Sequence, residues 1–239
     1  APMRLISCRL FCLSATLTLV LILFGRPAMA APPSGVKHVF VISFDQGNPD
    51  LIRRIAMPAF QQMAAAGARS WEAYTIVPSI TLPSHVSMLT GVGIQKHQVT
   101  WNDYQPDKGF VNVPTVFSLA KERGLKTAMF VAKEKFKHLN LPNTVDVLIW
   151  PQPNDDAKSV ASAFAAEFGK LKPNLVFIHF RDPDTVGHRT GAYSPEKIQA
   201  LKDCDEALQT IKDAVAAAGV LQNSVFILTA DHGSHDSKN

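Results

Sequence analysis

Cysteine is nearly absent: the 239-residue chain has three, and two of them, Cys8 and Cys12, fall in the first dozen positions. Once that leader is set aside Cys204 stands alone, which excludes an internal disulfide and leaves the hydrophobic core to hold the fold. Long apolar runs are equally scarce. The run Leu10 to Phe24 falls short of the ~18 residues a membrane-spanning helix needs, and no internal repeat, low-complexity tract or interdomain linker is visible. Charged residues make up only 18% of the chain, against 46% hydrophobic, a balance that suits one α/β domain with a substantial core.

The start of the chain has its own order. Arg4 and Arg9 precede the apolar run, and Pro27 precedes Ala28-Met29-Ala30. Basic, apolar and small-residue segments in that order describe a secretory signal peptide over residues 1–30, cleaved after Ala30. The expected mature domain is 31–239, located in the periplasm or secreted, with no stable membrane anchor after cleavage. Removing Arg4, Arg9 and Arg26 lowers the formal charge from +4 to +1. The sequence pI near 9 therefore gives little support for binding a nucleic-acid duplex. Oligomeric state is not legible.

Strand-like and helix-like segments alternate. HVFVISF (His38 to Phe44), Lys126 to Val131, Val145 to Trp150, NLVFIHF (Asn174 to Phe180) and SVFILTA (Ser224 to Ala230) read as strands, and Trp71 to Val77 as a possible sixth. Met57 to Ala66, a segment around Pro83 to Leu89, Val116 to Arg123, Ala157 to Phe168 and Pro195 to Ala218 read as helices. This alternation predicts an α/β fold, a mostly parallel sheet flanked by helices on both faces.

Polar residues gather where such a sheet binds ligands, beyond the carboxyl ends of its strands. Asp45 follows the first strand, a loop from Asp182 to His188 follows another, and Asp231-His232 follows the last. One aspartate there is ordinary, because aspartate favours turns; three such places offer a set of metal ligands. Carboxylates and neutral imidazoles suit zinc, and two divalent ions can stabilise the attacking and leaving oxygens at phosphorus. In PSITLPSHVSMLTG, Thr81 stands at a helix start, where it would either cap the helix or act as a metal-activated nucleophile on an anionic group. Asn102 could donate to a phosphoryl oxygen as charge develops, or only cap a turn.

Taken together in this order, VISFD, SITLPSHVSMLTG, KHQVTWND, DPDTVGHRTG and TADHG resemble the alkaline phosphatase superfamily, nearest the type I phosphodiesterase/nucleotide pyrophosphatase family. The resemblance implies two Zn²⁺ ions. Asp45, Thr81, Asp231 and His232 would hold the first, with Thr81 also the nucleophile, and Asp184 and His188 would contribute to the second. Asn102, helped by the Leu82 N–H, would contact the phosphoryl group. His85, His97, His179 and Asp182 would play supporting roles, while Trp101 and Tyr104 would line a pocket or the core. Cysteine or serine at position 81 and arginine at position 85 would mark a sulfatase, and this chain has Thr81 and His85.

The expected activity is hydrolysis of a small-molecule phosphate ester, by a phosphodiesterase or nucleotide pyrophosphatase through a phosphothreonine intermediate. The alternatives are a phosphomonoesterase of the same superfamily and a non-catalytic metal- or phosphate-binding domain. No arginine stands out to meet the extra charge of a monoester. Ser84 and Gln98 depart from the family's usual asparagine and glycine, which puts substrate preference in question. The domain is expected to be incomplete at its C-terminus, because the second zinc lacks a third ligand unless His235 supplies it.

Overall fold

In the computed structural model, residues 35–234 are described. The leader and His235 lie outside that range. Strand β1, His38–Phe44, is rich in β-branched and aromatic side chains and is largely buried, as a central parallel strand must be. It pairs in parallel with β4 (Leu175–Phe180) on one side and β5 (Ser224–Thr229) on the other. Strand β2 (Thr127–Val131) lies outside β4, and β3 (Val147–Ile149) forms the far edge, giving the order β3-β2-β4-β1-β5.

Residue parity then assigns the two faces. Phe40, Ile42, Phe44, Val176, Ile178 and Phe180 join the core beneath the helices α6 (Ala157–Leu171) and α8 (Pro195–Ala217). Phe177, Met129 and Val131 join the opposite core with Leu82, Val86 and Phe117, from α3 (Thr81–Thr90) and α5 (Val116–Glu122). Cys204 is buried in the first of these cores, as a packing residue. Short helices α1 (Pro49–Ile52), α2 (Pro58–Ala66) and α4 (Ile94–His97) fill the crossover from β1 to β2. Among the described residues no helix is long and apolar enough to cross a membrane.

Two expected elements are corrected. Trp71 to Val77 is not a strand: the segment is irregular, and Tyr74 and Val77 are exposed. Among the described residues it pairs with no strand. The stretch after β4 is not a loop but helix α7, Asp182–Thr190, with Pro183 in its first turn, a position where proline removes no helical bond.

Candidate active site

The register makes the site. Phe44 lies beside Phe180 and Ser43 beside Thr229, so the carboxyl ends of β1, β4 and β5 finish level. Asp45, the start of α7 and Asp231 therefore meet at one end of the sheet.

Each of three aspartates there commits one oxygen and leaves the other unbonded. Asp45 Oδ2 accepts from His179 Nε2 at 3.0 Å and faces the Lys133 ammonium. Asp231 Oδ1 accepts from the backbone N–H groups of Gln46 and His232, at 3.1 and 2.9 Å. Asp184 Oδ2 takes the same Lys133 Nζ at 2.7 Å. Asp45 Oδ1, Asp231 Oδ2 and Asp184 Oδ1 remain buried with no hydrogen bond. Leaving such an acceptor dry costs roughly 1–3 kcal/mol, so three in one place call for a shared positive partner.

His232 supplies the complement. Its Nδ1–H donates to the Gly233 carbonyl at 2.9 Å, which turns the Nε2 lone pair toward the carboxylates. That nitrogen stands 3.4 Å from both Asp45 Oδ1 and Asp231 Oδ2. Ligand atoms of Asp45, Asp184 and His232 lie within 4.8 Å of one another. Oxygen and imidazole donors converging on one point fit a divalent ion such as zinc.

The electrostatics agree. Burial and the nearby Asp45 charge push Asp231 well above the usual carboxylate range. Burial acts the same way on Asp45, but the His179 hydrogen bond and the charges of His179 and Lys133 outweigh it and hold that carboxyl well below the range. Burial lowers Lys133, yet Asp45 and Asp184 more than compensate and keep it cationic. Between Asp45 and Asp231, burial thus favours one negative charge over two.

Beneath this cluster lies a histidine pair. His85 Nδ1–H donates to the Thr81 carbonyl at 2.8 Å, and the Ser43 hydroxyl donates to Nε2 at 2.8 Å. Burial first, then the neighbouring His179, lowers His85 to about 3, so its ring is a neutral strut between α3 and β1. His97 is likewise buried and structural, bonded to Ser87 Oγ and the Val99 N–H. Asp182 accepts the Ala157 N–H at 2.9 Å and so tethers the start of α6.

Thr81 is the first residue of α3, and the N-cap is Ile80, whose side chain makes no cap. The Thr81 hydroxyl forms no hydrogen bond among the described residues, although the residue is only 3% exposed. The Leu82 N–H is engaged, donating to Asn102 Oδ1 at 2.9 Å, which orients the Asn102 amide and leaves its two N–H donors over. His188 lies at the exposed edge of the cluster. Its side chain is 73% exposed and stands 3.1 Å from Asp184 Oδ1 on the same helix, out of hydrogen-bond alignment. Trp101 and Tyr104 pack around His138.

Two residues escaped the sequence reading. Lys133 bridges Asp45 and Asp184, and the half-buried Lys135 feels the charges of Lys133, Asp45, Asp103 and Asp184, with burial the first cause of its lowered pKa. Both closely follow β2, and the strand-end rule that selected Asp45 would have found them had it been applied to cations. A cleft of about 690 Å³ opens beside Asp231 and His232, lined also by Trp71, Tyr74, Ser84 and Met88. Its size is that of a small-molecule pocket.

Residues 39–239 match the family model described as type I phosphodiesterase / nucleotide pyrophosphatase. The chain belongs to that family. It is 22% identical to human ectonucleotide pyrophosphatase/phosphodiesterase family member 7, over 91% of this chain and 53% of that protein. Among solved structures, murine ectonucleotide pyrophosphatase/phosphodiesterase 5 superposes with a TM-score of 0.67 at 20% identity, over 82% of this chain and 57% of that one. Phosphonoacetate hydrolase from Sinorhizobium meliloti, in complex with phosphonoformate, gives 0.64 at 20% identity, over 83% and 56%. The chain thus spans about half the length of these relatives. The α/β fold with a parallel sheet, inferred from the alternation, is the fold they share.

Proposed function

We propose that this chain carries catalytic residues of an exported, zinc-dependent phosphodiesterase or nucleotide pyrophosphatase. The observation that carries the proposal is the convergence of the unbonded Asp45 and Asp231 oxygens on the His232 Nε2 lone pair, with Asp184 beside them at the strand ends. Asp45, Asp231 and His232, with Thr81, would hold one zinc, and Asp184 with His188 would contribute to a second. Bound zinc would supply Lewis acidity and lower the pKa of a coordinated hydroxyl. The Thr81 oxygen would then attack phosphorus, the P–O bond to the leaving alcohol or nucleotide would break, and water would hydrolyse the phosphothreonine. The Asn102 amide, fixed through Leu82, would donate to a phosphoryl oxygen as negative charge grows.

The lysines support a second reading. A diester carries one negative charge at the phosphorus; Lys133 is already paired with Asp45 and Asp184, and Lys135 follows two residues later on the same segment. That further cation favours a substrate with a second anionic group, either a phosphomonoester or a phosphonate that also bears a carboxylate. Hydrolysis of bis(p-nitrophenyl) phosphate, p-nitrophenyl phosphate and phosphonoacetate, with and without zinc, separates these readings. Turnover of none of them at any zinc concentration would favour the non-catalytic alternative. Export would be shown by a mature N-terminus at Ala31, a residue that lies outside the described range.

A further inference from the structure

Lys197 is buried to 0% exposure on α8, a lysine environment that demands a dedicated role. Its ammonium donates to Gln46 Oε1 and, at 2.9 Å, to Ser234 Oγ. Gln46 is itself unusual. It follows Asp45 directly, is 7% exposed, and adopts a left-handed backbone with φ of 60°. A non-glycine residue there carries about 1 kcal/mol of strain or more, and the conformation aims its N–H at Asp231 Oδ1. Ser234 belongs to the turn that follows Asp231 and His232, and Asn48 Nδ2 also reaches it at 3.4 Å. On the third side stands Gly187, between Asp184 and His188 in sequence. A Cβ at that position would collide with Gln46 Oε1 and come within 3.1 Å of Lys197 Nζ. One ammonium thus bonds the segments that carry Asp45 and Asp231-His232, and the helix that carries Asp184 packs closely against it.

We infer that Lys197 and Gln46 form a clamp that sets the spacing of the metal-binding residues. Neither is a ligand; both are positioning residues. Through Gln46, the clamp holds Asp231 Oδ1 so that Oδ2 stays turned toward His232. Gly187 lets α7 lie close enough for Asp184 to share the same space. The inference rests on the metal reading above.

Calorimetric titration of Zn²⁺ into the whole chain tests it, with circular dichroism as a control for folding. Lys197→Met keeps the apolar stem and should weaken zinc binding at least tenfold in a folded protein. Gln46→Leu, which keeps the volume and deletes the acceptor, should do the same, whereas Gln46→Glu should stay within about threefold of wild type. If Lys197→Met fails to fold, the two Gln46 variants decide. Affinity within twofold of wild type for Gln46→Leu would overturn the clamp, even if the melting temperature falls, because packing alone would then explain both residues. Wild-type protein that binds no divalent ion would overturn the metal reading and the clamp with it, a result recognisable because Asp45→Asn would then change nothing.

Discussion

Because Ile80 supplies the N-cap of α3, the Thr81 hydroxyl carries no helix-stabilising bond that its removal would break. Thr81→Ala should therefore melt within a degree or two of wild type, while phosphoester hydrolysis falls by at least about 10³-fold through loss of the covalent route. Parallel thermal melts and rate assays check both halves. Away from the site, Asp146 shows a titration with a definite sign. Burial raises its pKa, but the Lys121 and Thr127 contacts outweigh that and hold it below 3.8. A depressed carboxylate stabilises the fold above its unfolded pKa, and the contribution disappears as the pH falls through the folded value. Stability should thus drop below about pH 4, and Asp146→Asn should flatten that part of a denaturation-versus-pH curve. The residues legible in the sequence were those whose chemistry and position coincided, such as Asp45 and Asp231 directly beyond apolar strands. Lys133 escaped because a lysine is no metal ligand, and only the fold brings it between two aspartates.

Helix α2 shows how an element here depends on a distant partner. Its N-cap, Met57, offers no acceptor, and the N–H groups of Ala59 and Phe60 donate instead to the two oxygens of Asp205 on α8, at 3.1 and 2.7 Å. Asp205→Ala should leave both N–H groups unmatched in a largely buried setting and cost about 2 kcal/mol. Urea denaturation would measure the loss, and faster amide exchange confined to α2 would locate it. The long helices were readable because their termini carry local signals, as in Ser194-Pro195, where Ser194 caps α8. Helix α7 was not: Asp-Pro-Asp followed three residues later by Gly187 has low helical propensity, and packing against α8 imposes the helix. The β-prone composition of Trp71 to Val77 misled in the opposite direction, since such residues form a strand only where a partner is available.

For the molecule as a whole, the site is a concentrated cost to stability. Three dry carboxylate oxygens sit together, and one of the two innermost aspartates is driven toward protonation. A ligand that binds only the folded state adds about 2.7 kcal/mol at a hundred times its Kd. Zinc in excess should therefore raise the melting temperature by several degrees, and EDTA should reverse the gain. Differential scanning calorimetry with Asp45→Asn as the control would show it, and equal shifts in both proteins would place the ion elsewhere. The class of fold was legible at this scale because alternating strands and helices leave few arrangements. The neighbour order β3-β2-β4-β1-β5 was not, because strands buried on both faces look alike whichever partners flank them.

That order has a consequence for how the chain is made. Strand β1 leaves the ribosome first among the described strands, yet its neighbours are β4 and β5. More than 130 residues must be synthesised before Leu175–Phe180 can dock against it, and β5 follows later still. Until then HVFVISF is an apolar segment with open hydrogen-bonding edges on both sides, the type of sequence that associates with other chains. Loop closure over such a distance makes the central pairing slow. Nascent chains of this protein are thus expected to engage holding chaperones through β1, and to release them only when β4 emerges.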